Sequence, residues 1–255
     1  MWSYNRFIHN QCSLTFCPSP STAAILRKQG FERVRIWPRG VDTILFHPQR
    51  RSESLRAAWL SERANPEEKV ILLYAGRVSW EKNLRLLTAA YRSMDHTRCH
   101  LVIVGNGPAL KEAQQELAEA PVTFTGYLTG EALATAYASA DIFAFPSTSE
   151  TFGQVVLEAM ASALPVAGVL SEGVRDLVED GESGFLLDII GLDKQEQAQG
   201  YRIRLEHLVH NVVMRYTLGQ TALFEAQQRS WASAMQCLFD GYQEVIAGAL
   251  PTAAA

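Results

Sequence analysis

The sequence predicts an α/β protein in which a parallel sheet carries helices on both faces. Three observations predict it. Between residues 69 and 188, six short apolar runs alternate with helical patterns. Most of those runs end in glycine or proline. An apolar content of 47% with 20% charged residues is enough to fill a core on both faces of a sheet. Strand–helix alternation of this kind builds βαβ units, and their right-handed crossovers bring every strand C-terminus to one edge. Ligands of such sheets bind along that edge.

The first run, "KVILLYAG" (69–76), precedes "EKNLRLLTAAYRSM" (81–94), where Leu84, Leu87, Tyr91 and Met94 share one helical stripe. "HLVIVG" (100–105) leads through Pro108 into the helical "PALKEAQQELAEA". "VTFTG" (122–126) precedes "EALATAYASA", and "DIFAFP" (141–146) precedes "STSETFGQVVLEAMASALPV" (147–166). "LPVAGV" (164–169) and "SGFLL" (183–187) complete the series. Arg77, Gly107, Tyr127 and Glu150 each fall just after a strand, so the fold is expected to gather them.

The two ends of the chain read differently. "SLTFCPSPSTAAILRKQGFERVRIWPRGVD" is strand, Ser-Pro turn, short helix ending at Gly30, strand and turn. That is one βαβ fragment, too small to be a domain alone. After residue 188 come three helical patterns, about 194–210, 214–229 and 230–248. In the last, Trp231, Met235, Leu238, Tyr242 and Val245 form an amphipathic stripe. The tail "GALPTAAA" is expected to fray.

Charge and cysteine usage narrow the function. A net charge of -4 leaves no basic excess for a nucleic-acid backbone, though a local basic cluster could still hold one small anion. Cys12, Cys17, Cys99 and Cys237 show no metal-type pairing and read as reduced, partly buried thiols. No apolar run approaches the roughly 18 residues needed to span a bilayer, and "MWSYNRFIHNQ" has no signal-peptide pattern. The expected location is the cytoplasm, or the cytosolic face of a membrane as a peripheral contact.

The stretch 147–166 carries the chemistry. Ser147, Thr148, Ser149 and Glu150 suit a helix start, and capping alone would account for them. A helix beginning near Gly153 would point its free first-turn N–H groups at the strand edge, and the amides of Val155 and Val156 would be among them. Gly153, lacking a side chain, would let an anion approach the backbone. Glu158 lies one to two turns into the helix, and Glu150 stands before it. A carboxylate suits two neighbouring ring hydroxyls, so the pair fits a sugar–phosphate–ribose ligand.

With its surroundings, this pattern resembles the retaining glycosyltransferase family 4, whose fold has two Rossmann-like domains (GT-B). The resemblance rests on the Glu150–Glu158 spacing within "SETFGQVVLEAMASALPV", and on "GRVSWEKNLRLL", "VGNGP", "FTGYLTGEALATAYASADIFAFPS" and "GVDTILFHP". It covers about residues 13–188 and the closing "RSWASAMQCLFDGYQEVI". The branch it looks most like is that of lipid-directed mannosyl- and sulfoquinovosyl-transferases. The resemblance implies that Arg77 and Lys82 bind the donor diphosphate and that Glu158 holds the ribose. It implies that Glu150 holds the donor sugar, with the amides of Phe152, Gly153 and Gln154 facing that sugar and those of Val155 and Val156 the phosphates. Tyr127 and Leu128 would hold the base, and Gly107 would lie near the donor. The donor would be GDP- or UDP-linked, the transferred group a hexose such as mannose, and the acceptor a lipid or glycan. No metal is expected. Sugar-nucleotide 2-epimerases share the fold but lack this Lys-and-paired-Glu setting.

Two positions depart from the family pattern. Ala163 stands where glycine is usual, a mild change if its φ is negative. Glu172 precedes a single Gly173 where a Gly-Gly pair is common, in a loop that borders the donor sugar. On this reading residues 1–37 are a remnant of the acceptor domain, 38–190 the nucleotide-sugar-binding domain and 191–255 a helical segment with tail. The N-terminal domain is largely missing, so the chain would be a donor-binding half. It would act with a separate first-domain subunit, self-associate, serve as a non-catalytic nucleotide-sugar-binding module, or be an inactive fragment.

Overall fold

The computed structural model describes residues 2–60, 69–150 and 152–248, so the tail after Gly248 lies outside the described residues. The chain forms two compact units, Met1–Val41 with Arg229–Ala255, and Asp42–Gln228.

The smaller unit opens with α1 (Trp2–Gln11), which buries none of its residues. Then come β1 (Thr15–Cys17), α2 (Pro20–Lys28) and β2 (Val34–Ile36). Ser19 caps α2, accepting from the Thr22 amide at 3.2 Å, and Pro20 occupies the first helical position, where no N–H is needed. β1 and β2 pair in parallel with Thr15 opposite Val34, which is the βαβ fragment expected from the sequence.

The larger unit runs α3 (Glu53–Leu60), β3 (Val70–Ala75), α4 (Leu84–Arg92), β4 (Cys99–Val104), α5 (Leu110–Glu116), β5 (Val122–Gly126) and α6 (Gly130–Ala138). It continues with β6 (Ile142–Phe145), α7 (Gln154–Ala161), β7 (Val166–Val169), α8 (Glu172–Arg175), β8 (Gly184–Leu187), α9 (Lys194–His210) and α10 (Val212–Gln227). Six parallel strands lie in the order β5-β4-β3-β6-β7-β8. The chain winds outward from β3 to β5, then returns to place β6 beside β3. The crevice between the C-terminal ends of β3 and β6 is therefore the switch point of the sheet, where α/β folds bind ligands.

Strands buried on both faces explain the unbroken apolar runs. Leu72, Tyr74, Leu101 and Ile103 share a core with Leu84, Leu87, Tyr91 and Met94 of the α4 region and with Tyr201 and Leu205 of α9. Fully burying such side chains is worth about 1.5–3 kcal/mol each. Two of the core tyrosines donate to carbonyls: Tyr91 to Pro121 at 2.7 Å and Tyr201 to Ala167 at 2.8 Å. Because Tyr201, Leu205 and Leu208 complete this core, α9 belongs with the sheet, as does α10, and the larger unit runs on to Gln228.

Several local expectations need correction. The helix after β3 starts at Leu84, not at Glu81, because Trp80–Lys82 form a 3-10 turn and Asn83 is left-handed at φ 55°. Ala163 is also left-handed, at φ 60°, so the alanine there is strained and not the mild change that a negative φ would make it. Cys12 is exposed, whereas Cys17 and Cys99 are buried.

In the smaller unit, α11 (Trp231–Ile246) buries its small residues Ala234 and Gly241. A Cβ on Gly241 would stand 2.6 Å from the Phe16 ring, so the glycine permits close packing on β1. Arg35 on β2 meets Glu244 at 2.7 Å. The bulky residues point outward: Met235 and Tyr242 are 50% and 54% exposed, and Trp231 is 37% exposed.

Candidate active site

The C-terminal strand edge of the larger unit holds a cavity of ≈ 590 Å³. Arg77, Tyr127, Leu128, Val155 and Glu158 line it, as the strand-end positions of Arg77 and Tyr127 predict. Gly76 and Gly105 contribute main chain to its lining. Gly76 donates to the Val104 carbonyl at 3.0 Å, and Gly105 to that of Gly126 at 2.8 Å. A Cβ on Gly105 would collide with the Gly76 carbonyl, and one on Gly107 with the Val78 carbonyl, so only glycine allows these loops to interlock. Gly107 thus shapes the β4 loop beside the cavity without lining it.

The two glutamates behave differently. Glu150 Oε2 accepts from Lys82 Nζ at 3.2 Å, with side chains 16% and 25% exposed. Its Oε1 accepts from the Gly153 amide at 3.0 Å and the Phe152 amide at 3.3 Å. Glu150 therefore closes the α7 N-terminus and pairs with a cation across the switch point. Two side-chain contacts hold the loops in place for this: Asn83 Nδ2 donates to the Pro146 carbonyl at 3.1 Å, and Ser149 Oγ to that of Glu81 at 3.2 Å. Arg77 is 63% exposed and reaches Glu81 at 3.1 Å, which leaves its guanidinium able to turn toward a ligand.

Glu158 sits deeper. Burial pushes its carboxyl up to about 7, against smaller lowering effects from the Tyr137 hydroxyl and the Gln154 side chain. The same burial raises Tyr137, with the Glu158 charge adding to it. A carboxylate on a cavity wall, with two side-chain donors and acceptor sites to spare, can take hydroxyls from a ligand.

Three expectations about main-chain groups change. The Val156 amide is spent inside the helix, donating to Gly153 at 2.9 Å, so it does not face the cavity. The amides expected of Phe152 and Gly153 are directed at Glu150. Gly153 is required by its φ of 64°, and also because a Cβ there would lie 2.9 Å from the Gly173 carbonyl. That contact seats the 169–176 loop directly on the start of α7. Gln154 opens the helix. Tyr127 is 77% exposed, which excludes a core role.

Phe46, Asn106, Thr129, Leu133 and Tyr137 also line the cavity and were not singled out from the sequence. Tyr137 carried a signal, a lone hydroxylated aromatic in an alanine-rich helix. Phe46 lies outside any periodic element, and its signal was its place in "GVDTILFHP". Among the described residues, no group of three or more His, Cys, Asp or Glu could hold a metal ion, and no helix is long and apolar enough to cross a membrane.

Comparison with known proteins agrees with this geometry. The family model "Glycosyl transferases group 1" matches residues 56–206, and "Glycosyltransferase Family 4" matches residues 1–45. A GDP-mannose-dependent alpha-mannosyltransferase of Corynebacterium glutamicum is 40% identical over 74% of this chain and 44% of its own length. A sulfoquinovosyl transferase of Arabidopsis thaliana is 34% identical over 92% of this chain and 45% of its own. Among solved structures, sucrose-phosphate synthase from Thermosynechococcus elongatus aligns with a TM-score of 0.80 at 24% identity, over 97% of this chain and 62% of that one. Anabaena HepE, in complex with UDP and glucose, aligns at 0.78 and 20%, over 95% and 66%. The chain spans about half the length of these two curated relatives. By its matched residues, the chain belongs to the glycosyl transferases of group 1.

Proposed function

We propose that this chain is the nucleotide-sugar-binding half of a retaining glycosyltransferase that moves a mannosyl group from GDP-mannose to a lipid or glycan acceptor. One observation carries the reading most: a half-buried Glu158 lines the strand-edge cavity together with Arg77, and at the same strand edge Lys82 pairs with Glu150 across the switch point. The nucleotide base lies toward Tyr127 and Leu128, the ribose hydroxyls on Glu158, and the diphosphate toward Arg77, Lys82 and the start of α7. As the bond from the anomeric carbon to the diphosphate oxygen breaks, negative charge grows on the phosphate, and these cations stabilise it. Mannose and GDP are chosen over other hexoses and UDP because the curated bacterial relatives at 35–40% identity bear the name GDP-mannose-dependent alpha-mannosyltransferase. The acceptor is assigned to the half of the relatives' length that these residues do not span.

The test is calorimetric titration with GDP, UDP and GDP-mannose. Glu158→Gln should weaken GDP and GDP-mannose alike, because its partner is ribose. Glu150→Gln should weaken only GDP-mannose, because its partner is the sugar. Lys82→Ala should weaken both ligands by about 1.5–3 kcal/mol, the range for a charge-assisted hydrogen bond. Equal losses in the two glutamate variants would refute the division of roles. No loss in any variant would leave Glu150 a helix cap and Glu158 a packing residue.

A further inference from the structure

The opposite edge of the sheet holds a second polar cavity, ≈ 560 Å³, lined by Arg51, Arg56, Lys69, Arg98 and Arg215. Val70 opens β3 there, Arg98 stands just before β4 and Asp141 just before β6. It is separated from the donor cavity by the length of a strand, about 20 Å for six residues. Among the described residues, the carboxylates paired with its cations are Asp141 and Glu53, and both serve only Arg51 and Arg56. Lys69 donates to the His96 carbonyl at 2.7 Å, and Arg215 to those of Leu208 and Val209 at 2.7 and 2.8 Å. These bonds to carbonyls fix the positions of both cations but neutralise neither charge. Arg98 is exposed at the rim.

Arg215 is the group most out of place. It lies in the first turn of α10, where the helix dipole already disfavours a cation. Burial lowers its pKa; Asp141 offsets part of this, and the charges of Arg98 and Arg56 lower it further. A chain with a net charge of -4 has no general surplus of cations to scatter. Among the described residues, three of them converge here with no carboxylate within ion-pair distance, in a hollow large enough for a small ligand.

We infer that this cavity is a second anion site, built by Lys69, Arg98 and Arg215 to take a phosphate monoester or diphosphate group, apart from the donor site. Guanidinium forks match the planar oxygen pairs of phosphate, and Lys69 adds a point charge. The inference does not rest on the assignment of the donor edge.

Inorganic pyrophosphate is the probe. In an Arg77→Ala/Lys82→Ala background, which disables the donor edge, calorimetry should still detect pyrophosphate binding. Adding Lys69→Gln and Arg98→Gln to that background should weaken it about tenfold or more and flatten its salt dependence. Arg98→Lys should retain binding, and matching circular dichroism should show that the fold is intact. No binding in the donor-edge background, or binding unchanged by the two glutamines, would overturn the inference. Sedimentation with phosphatidylcholine vesicles, with and without phosphatidate, separates the sources of phosphate. Phosphatidate-dependent sedimentation that the glutamines abolish identifies a lipid headgroup. Pyrophosphate binding without sedimentation identifies a soluble phosphate.

Discussion

At the C-terminal edge of the sheet, charges meet in opposed sets: Lys82 with Glu150, and Arg77 with Glu81. At the N-terminal edge, Asp141 accepts from Arg51, Arg56 and the Ile71 amide, and among the described residues three further cations form no ion pair with it. The difference follows from what each edge must do. Paired charges at the switch point can exchange partners when a ligand arrives. A buried carboxylate shared by two guanidiniums and an amide is an anchor, and exchanging its partners would unpick the sheet.

The largest expected effect tests that anchor. Asp141→Asn leaves the Arg56 guanidinium, only 2% exposed, without its 2.9 Å counter-ion. Glu53, 3.6 Å away, and the Ser139 and Lys69 carbonyls remain, so the loss in urea unfolding should approach, without exceeding, about 3–5 kcal/mol, the cost of a fully stranded buried charge. A loss below about 1 kcal/mol, as for an exposed pair, would remove the contrast between the edges.

Next in size is the pH response of Glu158, whose carboxyl is raised from 4.5 to about 7. The folded state holds this proton more tightly than the unfolded chain. Stability is therefore greatest below pH 4.5 and falls as pH rises through about 7, by at most about 3 kcal/mol. Glu158→Gln should abolish that slope in thermal melts between those limits. Ribose hydroxyls stabilise the carboxylate, so GDP binding near pH 6.5 should release protons, measurable by calorimetry in buffers of different ionisation enthalpy. A melt series with the same slope in parent and variant would place the titration elsewhere.

The smallest effect separates the edges. Ala163 enters β7 from the N-terminal side at φ 60°. Ala163→Gly relieves left-handed strain and should raise stability by about 0.5–1 kcal/mol, less the added unfolded entropy, with GDP affinity unchanged. A shift in GDP affinity would mean that strain at one edge is felt at the other.

Much of this was open to a sequence reading. The central strands showed because β3, β4, β6 and β7 are short apolar runs buried on two faces, and the stripe of Leu84, Leu87, Tyr91 and Met94 showed because it packs into the core. The strand-end placement of Arg77 and Tyr127 followed from parallel topology. What stayed hidden depends on conformation or long-range assembly. Asn83 looks like an ordinary helix residue until its left-handed φ lets it reach the Pro146 carbonyl. A place for Glu150 at the helix start was legible locally, but nothing local says that it also meets Lys82, 68 residues away. The N-terminal cation cluster draws on separate segments between Arg51 and Arg215, and no motif joins them.

The interlocked turns at Gly76, Gly105 and Gly107 have a consequence for how this site can change over time. Where Gly76 and Gly105 line the cavity the surface has no rotamers, so a ligand lying on that part meets the same surface whatever the neighbouring side chains do. Variation in specificity is then confined to the rim, at positions such as Tyr127, Thr129 and Leu133, where a substitution alters what is recognised without moving the plane it rests on. The glycines carry the opposite burden: with a carbonyl already where a methyl would go, even alanine at Gly105 must push neighbouring strand ends apart. The site can be retuned from above and broken from below.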